Sequence, residues 1–362
     1  MDATYDGEAV RAGRAAREQF YDARGYGRPV DGAVRLAPVE AAHLLFRGDL
    51  EAVVDQRGER LGFRGFLASA AVSEVAFFVY KDLRDRGFYL SPAREERVGG
   101  STAEFAVYPR GSGPWDDAVA YRVLGVGERA GVPAATLSAL AASGDGNGGT
   151  GVLAVVDEES ELTYFAVEVS TLTGSSHHDL PPVGGELVAD RVLVWDPPGA
   201  LHERAFYGQR LDGGDAVQLS LVEAAYLARR GTLSLAGGER ADGVTGRGRE
   251  VEGDRFDRRL RVYGALRAAG VVPKTGYKFG ADFRTYGDVE SVDDLGHSEL
   301  LVRVLPRDHT FLPRDLALDV RLAHGVRKTM VFALVGDTDG TSEGNGDGDG
   351  SPVWLSVGRL TP

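Results

Sequence analysis

Apolar residues recur at helical spacing in DRFDRRLRVYGALRAAG (254–270), where Phe256, Leu260, Tyr263 and Leu266 share a face and Gly270 ends the run. They alternate in HSELLVRVL (297–305), as one face of a strand does. PRDLALDVRLAHGVRK (313–328) returns to the helical period with Pro313 opening it, and KTMVFALVG (328–336) is an unbroken apolar run of the kind a buried strand shows. An earlier short helix is predicted at VEAAYLARRG (222–231) through Val222, Ala225 and Tyr226. Helices interleaved with buried strands predict α/β (α+β) units, each built on a central sheet.

The same pattern occurs twice. AVRLAPVEAAHLLFRGDL (33–50) aligns with AVQLSLVEAAYLARRGTL (216–233), and VYKDLRDRGFYL (79–90) with VYGALRAAGVVP (262–273), both at an offset of 216 − 33 = 183 residues. FAVY (105–108) matches FRTY (283–286), DAVAYRVL (117–124) matches SELLVRVL (298–305), and VLAVV (152–156) matches VFALV (331–335). The chain is therefore a tandem repeat. TLTGSSHHDLPPVGG (171–185) separates the copies and has a linker's Gly, Ser and Pro content. SGDGNGGTG (143–151) and GDTDGTSEGNGDGDGS (336–351) are predicted as loops, the second a long acidic insertion over 337–351.

Composition sets the setting. The chain has 362 residues, no cysteine and 43% hydrophobic residues, which excludes disulfides and thiolate metal sites and points to a reducing compartment, the cytoplasm by default. The first residues have no signal-peptide pattern and no run of about 18 apolar residues occurs, so no membrane association is expected. Net charge is −13, and only Lys81, Lys274, Lys278 and Lys328 are lysines. An acidic, lysine-poor surface keeps a protein soluble in concentrated salt, which favours a halophilic source over mere arginine-rich codon usage. At high salt the electrostatic part of nucleic-acid binding shrinks, leaving shape and stacking to carry recognition, so the charge does not exclude an RNA partner.

Comparing the copies singles out one as reactive. Tyr286 has a counterpart in Tyr108, whereas His297 falls opposite Asp116 and Lys328 opposite Gly149. FYGQ, LRVYGALRAAG, GYKFGADFRTY, LGHSELLVRVL, VRLAHGVRKTMVFAL and VGRLTP, in that order over most of 187–362, resemble the catalytic repeat of the archaeal tRNA-splicing endonucleases (tRNA-intron lyases). Copy one resembles the degenerate repeat of the family's two-repeat, homodimeric members.

The resemblance implies a fold and a division of the chain. Each copy would have a small N-terminal α/β subdomain and a C-terminal subdomain with a nuclease-like mixed sheet. Residues 1–172 would form a non-catalytic structural repeat and 173–186 the linker, followed by the catalytic copy's N-terminal subdomain (187–255) and nuclease subdomain (256–362). It further implies a catalytic triad of Tyr286, His297 and Lys328, an RNA-clamping pair, Arg321 and Arg359, and a dimer-interface loop, Asp157, Glu158, Glu159 and Glu161.

The chemistry is consistent with those residue types. Cleaving RNA with its own 2′-OH requires removal of that proton, protonation of the leaving 5′ oxygen and relief of phosphorane charge. A histidine suits the leaving oxygen and a lysine the non-bridging oxygens. An unperturbed tyrosine, pKa about 10, is ionised roughly one part in a thousand at pH 7, so Tyr286 either acts as a base beside a cation or aligns the 2′-OH as a neutral phenol. Such a reaction requires no metal and no cofactor. Two guanidinium planes can stack on a bulged base, the role the resemblance gives Arg321 and Arg359.

The expected substrate is precursor tRNA with bulge-helix-bulge junctions. An intron needs two cuts and each chain offers one intact site, which predicts a homodimer. Two alternatives stand: a non-catalytic RNA-binding or structural subunit, and a metal-dependent nuclease. His324 reads as a helix-face residue, His202 and His309 as loop or surface residues, and His177 and His178 as part of a solvated linker. NGDGDG (345–350) lacks the glutamate of a calcium loop.

Overall fold

The computed structural model describes residues 1–92, 102–116, 118–144, 148–236, 241–336 and 351–362. All but Ser351 of the acidic insertion, and residues 145–147 of the shorter glycine-rich loop, lie outside these. The chain divides into two compact units. The first is Met1–Glu168 with Thr310–Ala317 and Gly358–Pro362, and the second is Val169–His309 with Leu318–Val357.

In the first unit a six-stranded sheet carries the N-terminal part. Its strands run in the order Arg28–Val30, Ala33–Leu36, Val10–Ala12, Asp2–Tyr5, Ala52–Val54, Arg60–Leu61, and helix Pro38–Phe46 buries Leu44 and Leu45 in its core. Helix Glu74–Asp85 leads into a second sheet. There Leu90–Pro92 pairs antiparallel with Phe105–Val107, and that with Tyr121–Gly127. Helix Ala134–Ala142 then crosses over to a strand parallel to the last, Thr150–Val156, which turns into Leu162–Val169.

The second unit repeats the plan. A five-stranded sheet runs Gln209–Arg210, Val217–Ser220, Arg191–Val194, Val183–Val188, Leu233–Leu235. Helix Leu221–Arg229 starts in a capping box: the Ser220 hydroxyl accepts from Glu223 N (3.3 Å) and Glu223 Oε2 accepts from Ser220 N (3.0 Å). Helices Ala241–Glu252 and Asp254–Ala268 follow, the latter burying Phe256, Leu260, Tyr263 and Leu266 as its periodicity predicts. Val272–Thr275 and Phe283–Tyr286 pair antiparallel, as do Phe283–Tyr286 and Leu300–Pro306. Helix Pro313–Gly325 precedes Thr329–Val335, which lies parallel to Leu300–Pro306, and Val353–Leu360 pairs antiparallel with Thr329–Val335. Two adjacent parallel strands need such a crossover, and it brings both of their starts to one end of the sheet. Mixed sheets with helices in each unit are the α/β (α+β) architecture expected.

Part of the segment between the copies is docked, while His177 and His178 within it are exposed. Gly174 N donates to Ala269 O (2.8 Å), Ser175 N to Gly287 O (2.9 Å) and Ser176 N to Gly270 O (2.9 Å). The buried Ser176 hydroxyl accepts from Val289 N (2.8 Å). A side chain at Gly174 would put its Cβ 2.4 Å from Gly270 O and 2.5 Å from Gly287 O, so this close approach of three backbones requires glycine. Composition marks the segment as a linker, but its glycines and serines serve docking.

Candidate active site

The sheet of the second unit sets three sequence-predicted residues at one end of adjacent strands. Tyr286 ends Phe283–Tyr286, His297 lies three residues ahead of Leu300–Pro306, and Lys328 immediately precedes Thr329–Val335. Backbone bonds fix the row: Glu299 N donates to Thr285 O (3.2 Å) and Thr329 N to Glu299 O (3.1 Å). Lys328 Nζ also donates to Ser298 O, tying the lysine to the residue after His297.

Each side chain is held differently. Tyr286 is 8% exposed, in a small apolar cluster with Phe206, Val272 and Val289, and its ring meets Phe206 edge-on at 5.7 Å. His297 is exposed on the segment between strands. Lys328 is half-buried, its ammonium 5.7 Å from the centre of the Phe279 ring. Burial lowers its pKa below the usual lysine value, and the Arg284 guanidinium lowers it further.

Lys328 owes its position to a strained helix end. Lys328 N donates to Ala323 O (2.9 Å) and Arg327 N to His324 O (3.0 Å), the paired bonds of a Schellman motif, with Arg327 at φ 56° where glycine is usual. A non-glycine residue there costs on the order of 1 kcal/mol.

Against the Phe206 ring lies a buried ion pair, with Lys274 Nζ 4.6 Å from the ring centre. Lys274 Nζ is 2.9 Å from Glu223 Oε1, the side chains being 10% and 8% exposed, and it also donates to Gly208 O (2.8 Å) and Phe206 O (3.3 Å). Burial alone would raise the Glu223 pKa, but Lys274 and the amides of Ser220 and Gly208 bring it down to about 2. Burial lowers Lys274, and Glu223 opposes that shift.

The first unit has the same framework without the lysine and the histidine. Ala120 N donates to Val107 O and Thr150 N to Ala120 O, both at 2.8 Å, which reproduces the row of the second unit. Gly149 therefore stands where Lys328 does. Counting back along the strand puts Ala118 opposite His297, not Asp116: matching DAVAYRVL to SELLVRVL slips the pairing by two residues. Asp116 instead accepts from Gly113 N (2.8 Å) within a turn. Tyr108 N bonds to Tyr89 O, and the Tyr108 hydroxyl lies 2.9 Å from that of Ser91.

The remaining candidates are dispersed. Arg321 is exposed on helix Pro313–Gly325 in the second unit, and Arg359 is exposed in the first; among the described residues neither has an ion pair. Asp157, Glu158, Glu159 and Glu161 form the turn between Thr150–Val156 and Leu162–Val169. Asp157 Oδ1 accepts from Glu159 N and Glu161 N at 2.9 Å each, and Glu158 pairs with Arg129. Glu158, Glu159 and Glu161 are exposed. His324 is exposed at its helix end.

His202, expected at the surface, is buried in helix Gly199–Glu203, its Nδ1 3.0 Å from Tyr207 O. Among the described residues no three of His, Asp and Glu gather as metal ligands, and no helix is long and apolar enough to cross a membrane. Sequence reasoning passed over Arg284, although FRTY set against FAVY shows it facing an alanine in copy one.

Comparison with known proteins bears on the reading. A family described as "tRNA intron endonuclease, catalytic C-terminal domain" matches residues 256–343, and "tRNA intron endonuclease, N-terminal domain" matches both 1–67 and 183–244. The chain is 61% identical to the tRNA-splicing endonuclease of Haloarcula marismortui over the whole of both chains. It is 54% identical to that of Haloferax volcanii over 96% of each, and 39% identical to that of Methanosarcina mazei over 91% of this chain and 93% of the relative.

Proposed function

The chain belongs to the tRNA-intron endonuclease family of halophilic archaea and is an RNA endonuclease that cleaves tRNA introns; we propose that it cuts precursor tRNA at bulge-helix-bulge junctions, leaving 2′,3′-cyclic phosphate and 5′-hydroxyl ends, with Tyr286, His297 and Lys328 as its catalytic residues. The observation that carries this reading is the row at the strand ends, where a phenol ends one strand and an imidazole and an ammonium lie just ahead of the two strands beside it.

The roles follow from how each side chain is held. Exposed His297 is free to protonate the leaving 5′ oxygen. Lys328 spends one N–H on Ser298 O and keeps two donors for the non-bridging oxygens, and its burial keeps those bonds from competing water. The Tyr286 ring, fixed against Phe206, sets the direction from which the 2′-OH is met.

Arg321 and Arg359, without acid partners among the described residues, are proposed to clamp a bulged base. Glu158, Glu159 and Glu161, exposed on a turn braced by Asp157, are proposed to dock on a second copy, since two cuts need two intact sites. We assign 1–172 to the structural repeat, 173–186 to the connection, 187–255 to the N-terminal subdomain of the catalytic copy and 256–362 to its nuclease subdomain.

The test uses purified protein in molar KCl with EDTA and an end-labelled RNA carrying two three-nucleotide bulges around a four-base-pair helix. Two cuts with cyclic phosphate ends are expected, and His297→Ala should lose at least about a hundredfold in rate. Binding without cleavage by the intact protein would favour the structural-subunit alternative, and cleavage silenced by EDTA the metal-dependent one.

A further inference from the structure

In the second unit several inward-lying guanidinium and ammonium groups are compensated: Arg259 by Glu252 and Asp282, Arg303 by Asp319, Lys274 by Glu223, and Arg267 by the Tyr263 hydroxyl and Ala205 O. Arg284 is not. It is half-buried, its Nε is shielded from solvent without a hydrogen-bond partner, and among the described residues no carboxylate pairs with it.

Its surroundings are cationic. On Phe283–Tyr286 the side chains alternate, so Arg284 shares the face of Tyr286, and its guanidinium lies 5.7 Å from the centre of that ring. Lys274 is its cross-strand partner, and Lys328 is close enough for the two charges to repel. Glu223 offsets Lys274, but among the described residues no carboxylate pairs with Arg284 or Lys328, and holding like charges together is unfavourable unless an anion arrives.

The registers of the two units add a second observation. Ala106 occupies the place of Arg284, Ser91 that of Lys274 and Gly149 that of Lys328, so the copy without the chemistry lacks all three cations. It has instead a buried guanidinium one strand over, Arg122, beside Ala106. An arginine can therefore cover this sheet face for packing alone, and the experiment must separate the two roles.

We propose that Arg284 is a further catalytic residue, which binds the non-bridging oxygens of the phosphate being cut, alongside Lys328. This rests on the cleavage reaction proposed above. The ligand chemistry is a phosphodiester that gains negative charge in the transition state, and a guanidinium offers it two parallel donors where Lys328 offers a point charge. No bond forms or breaks at Arg284; the proton transfers remain with the residues already named.

The test compares wild type, His297→Ala, Arg284→Ala and Arg284→Lys in single-turnover cleavage with enzyme in excess, on the same RNA and on its two phosphorothioate diastereomers at the cut site. We expect Arg284→Ala to cleave about 10²- to 10³-fold more slowly, with part of the rate restored by millimolar guanidinium ion, which leaves wild type unaffected. Arg284→Lys should keep the fold and an intermediate rate, and should change the rate ratio between the diastereomers.

Arg284→Ala cleaving within threefold of wild type, beside an inactive His297→Ala, would overturn the assignment while leaving the proposed reaction standing. So would slow variants whose rate guanidinium does not restore and whose diastereomer ratio equals that of wild type, because a packing role moves neither readout. An inactive wild type would instead remove the reaction, and this assignment with it.

Discussion

Replacing Lys274 by methionine isolates the buried pair that lies against the Phe206 ring. The substitution keeps the aliphatic stem and removes an ammonium that bonds Glu223 Oε1, Gly208 O and Phe206 O. Glu223 retains donors in Ser220 N, the Ser220 hydroxyl and Gly208 N, but its charge is left buried. Removing one partner of a buried pair costs about 3–5 kcal/mol, and in a unit of this size each kcal/mol moves Tm by roughly 2–4 °C, so a drop of about 6–20 °C is expected.

The pH dependence has a definite sign. Glu223 has a folded pKa of about 2, below its unfolded value, so the stability it contributes is complete above about 4.3 and is lost as pH falls from there towards 2. Without Lys274, burial raises the carboxyl. The deficit of Lys274→Met relative to wild type is therefore largest near neutral pH and shrinks in acid. Thermal melting in molar KCl at pH 7 and pH 4, on both single variants and on Glu223→Gln/Lys274→Met, measures it. A loss below about 1 kcal/mol, or an equal loss in the Glu223→Gln background, would refute the reasoning, since the second result means no coupling.

Arg327→Gly relieves the left-handed backbone at the Schellman turn and should stabilise by about 0.5–1 kcal/mol in chemical denaturation; a net loss would show that the arginine side chain supports the fold. Joint replacement of Glu158, Glu159 and Glu161 by glutamine should turn the proposed homodimer into monomer with secondary structure unchanged, and an unaltered sedimentation coefficient would remove the loop from the proposed interface. Because the chain carries −13, Tm should rise between low salt and molar KCl, and a flat dependence would contradict the salt-adapted reading of its composition.

How much could be read from the sequence depended on where the signal resided. Phe256, Leu260, Tyr263 and Leu266 face the core because helical periodicity requires it, and VFALV is buried because nothing polar interrupts it. Helix Ala241–Glu252 was invisible: Gly243, Gly246 and Gly248 lower its propensity. Packing overrides that, for a Cβ at Gly248 would meet the Phe256 ring at 2.3 Å, so the glycine that weakens the helix allows its close approach. The pairing of Asp116 with His297 failed because RVL occurs in both strands two residues out of register, and only backbone hydrogen bonds fix register. The Lys274–Glu223 pair was missed because its partners are 274 − 223 = 51 residues apart and each reads as an ordinary surface charge.

The two units together explain why one copy can abandon chemistry without unfolding. The proposed catalytic positions sit at strand ends and in the segment before a strand, where His297 and Lys328 bury little apolar area, so Ala118 and Gly149 can replace them with small loss to the core. Positions facing the core have no such freedom: Val152 and Val331, or Leu83 and Leu266, stay large and apolar in both copies. Tyr286 spans both classes, since its ring packs while its hydroxyl is proposed to meet the 2′-OH. Copy one accordingly keeps a tyrosine there, with its hydroxyl against that of Ser91. A framework tyrosine with the neighbouring cations removed is what remains when packing is retained and substrate contact is not.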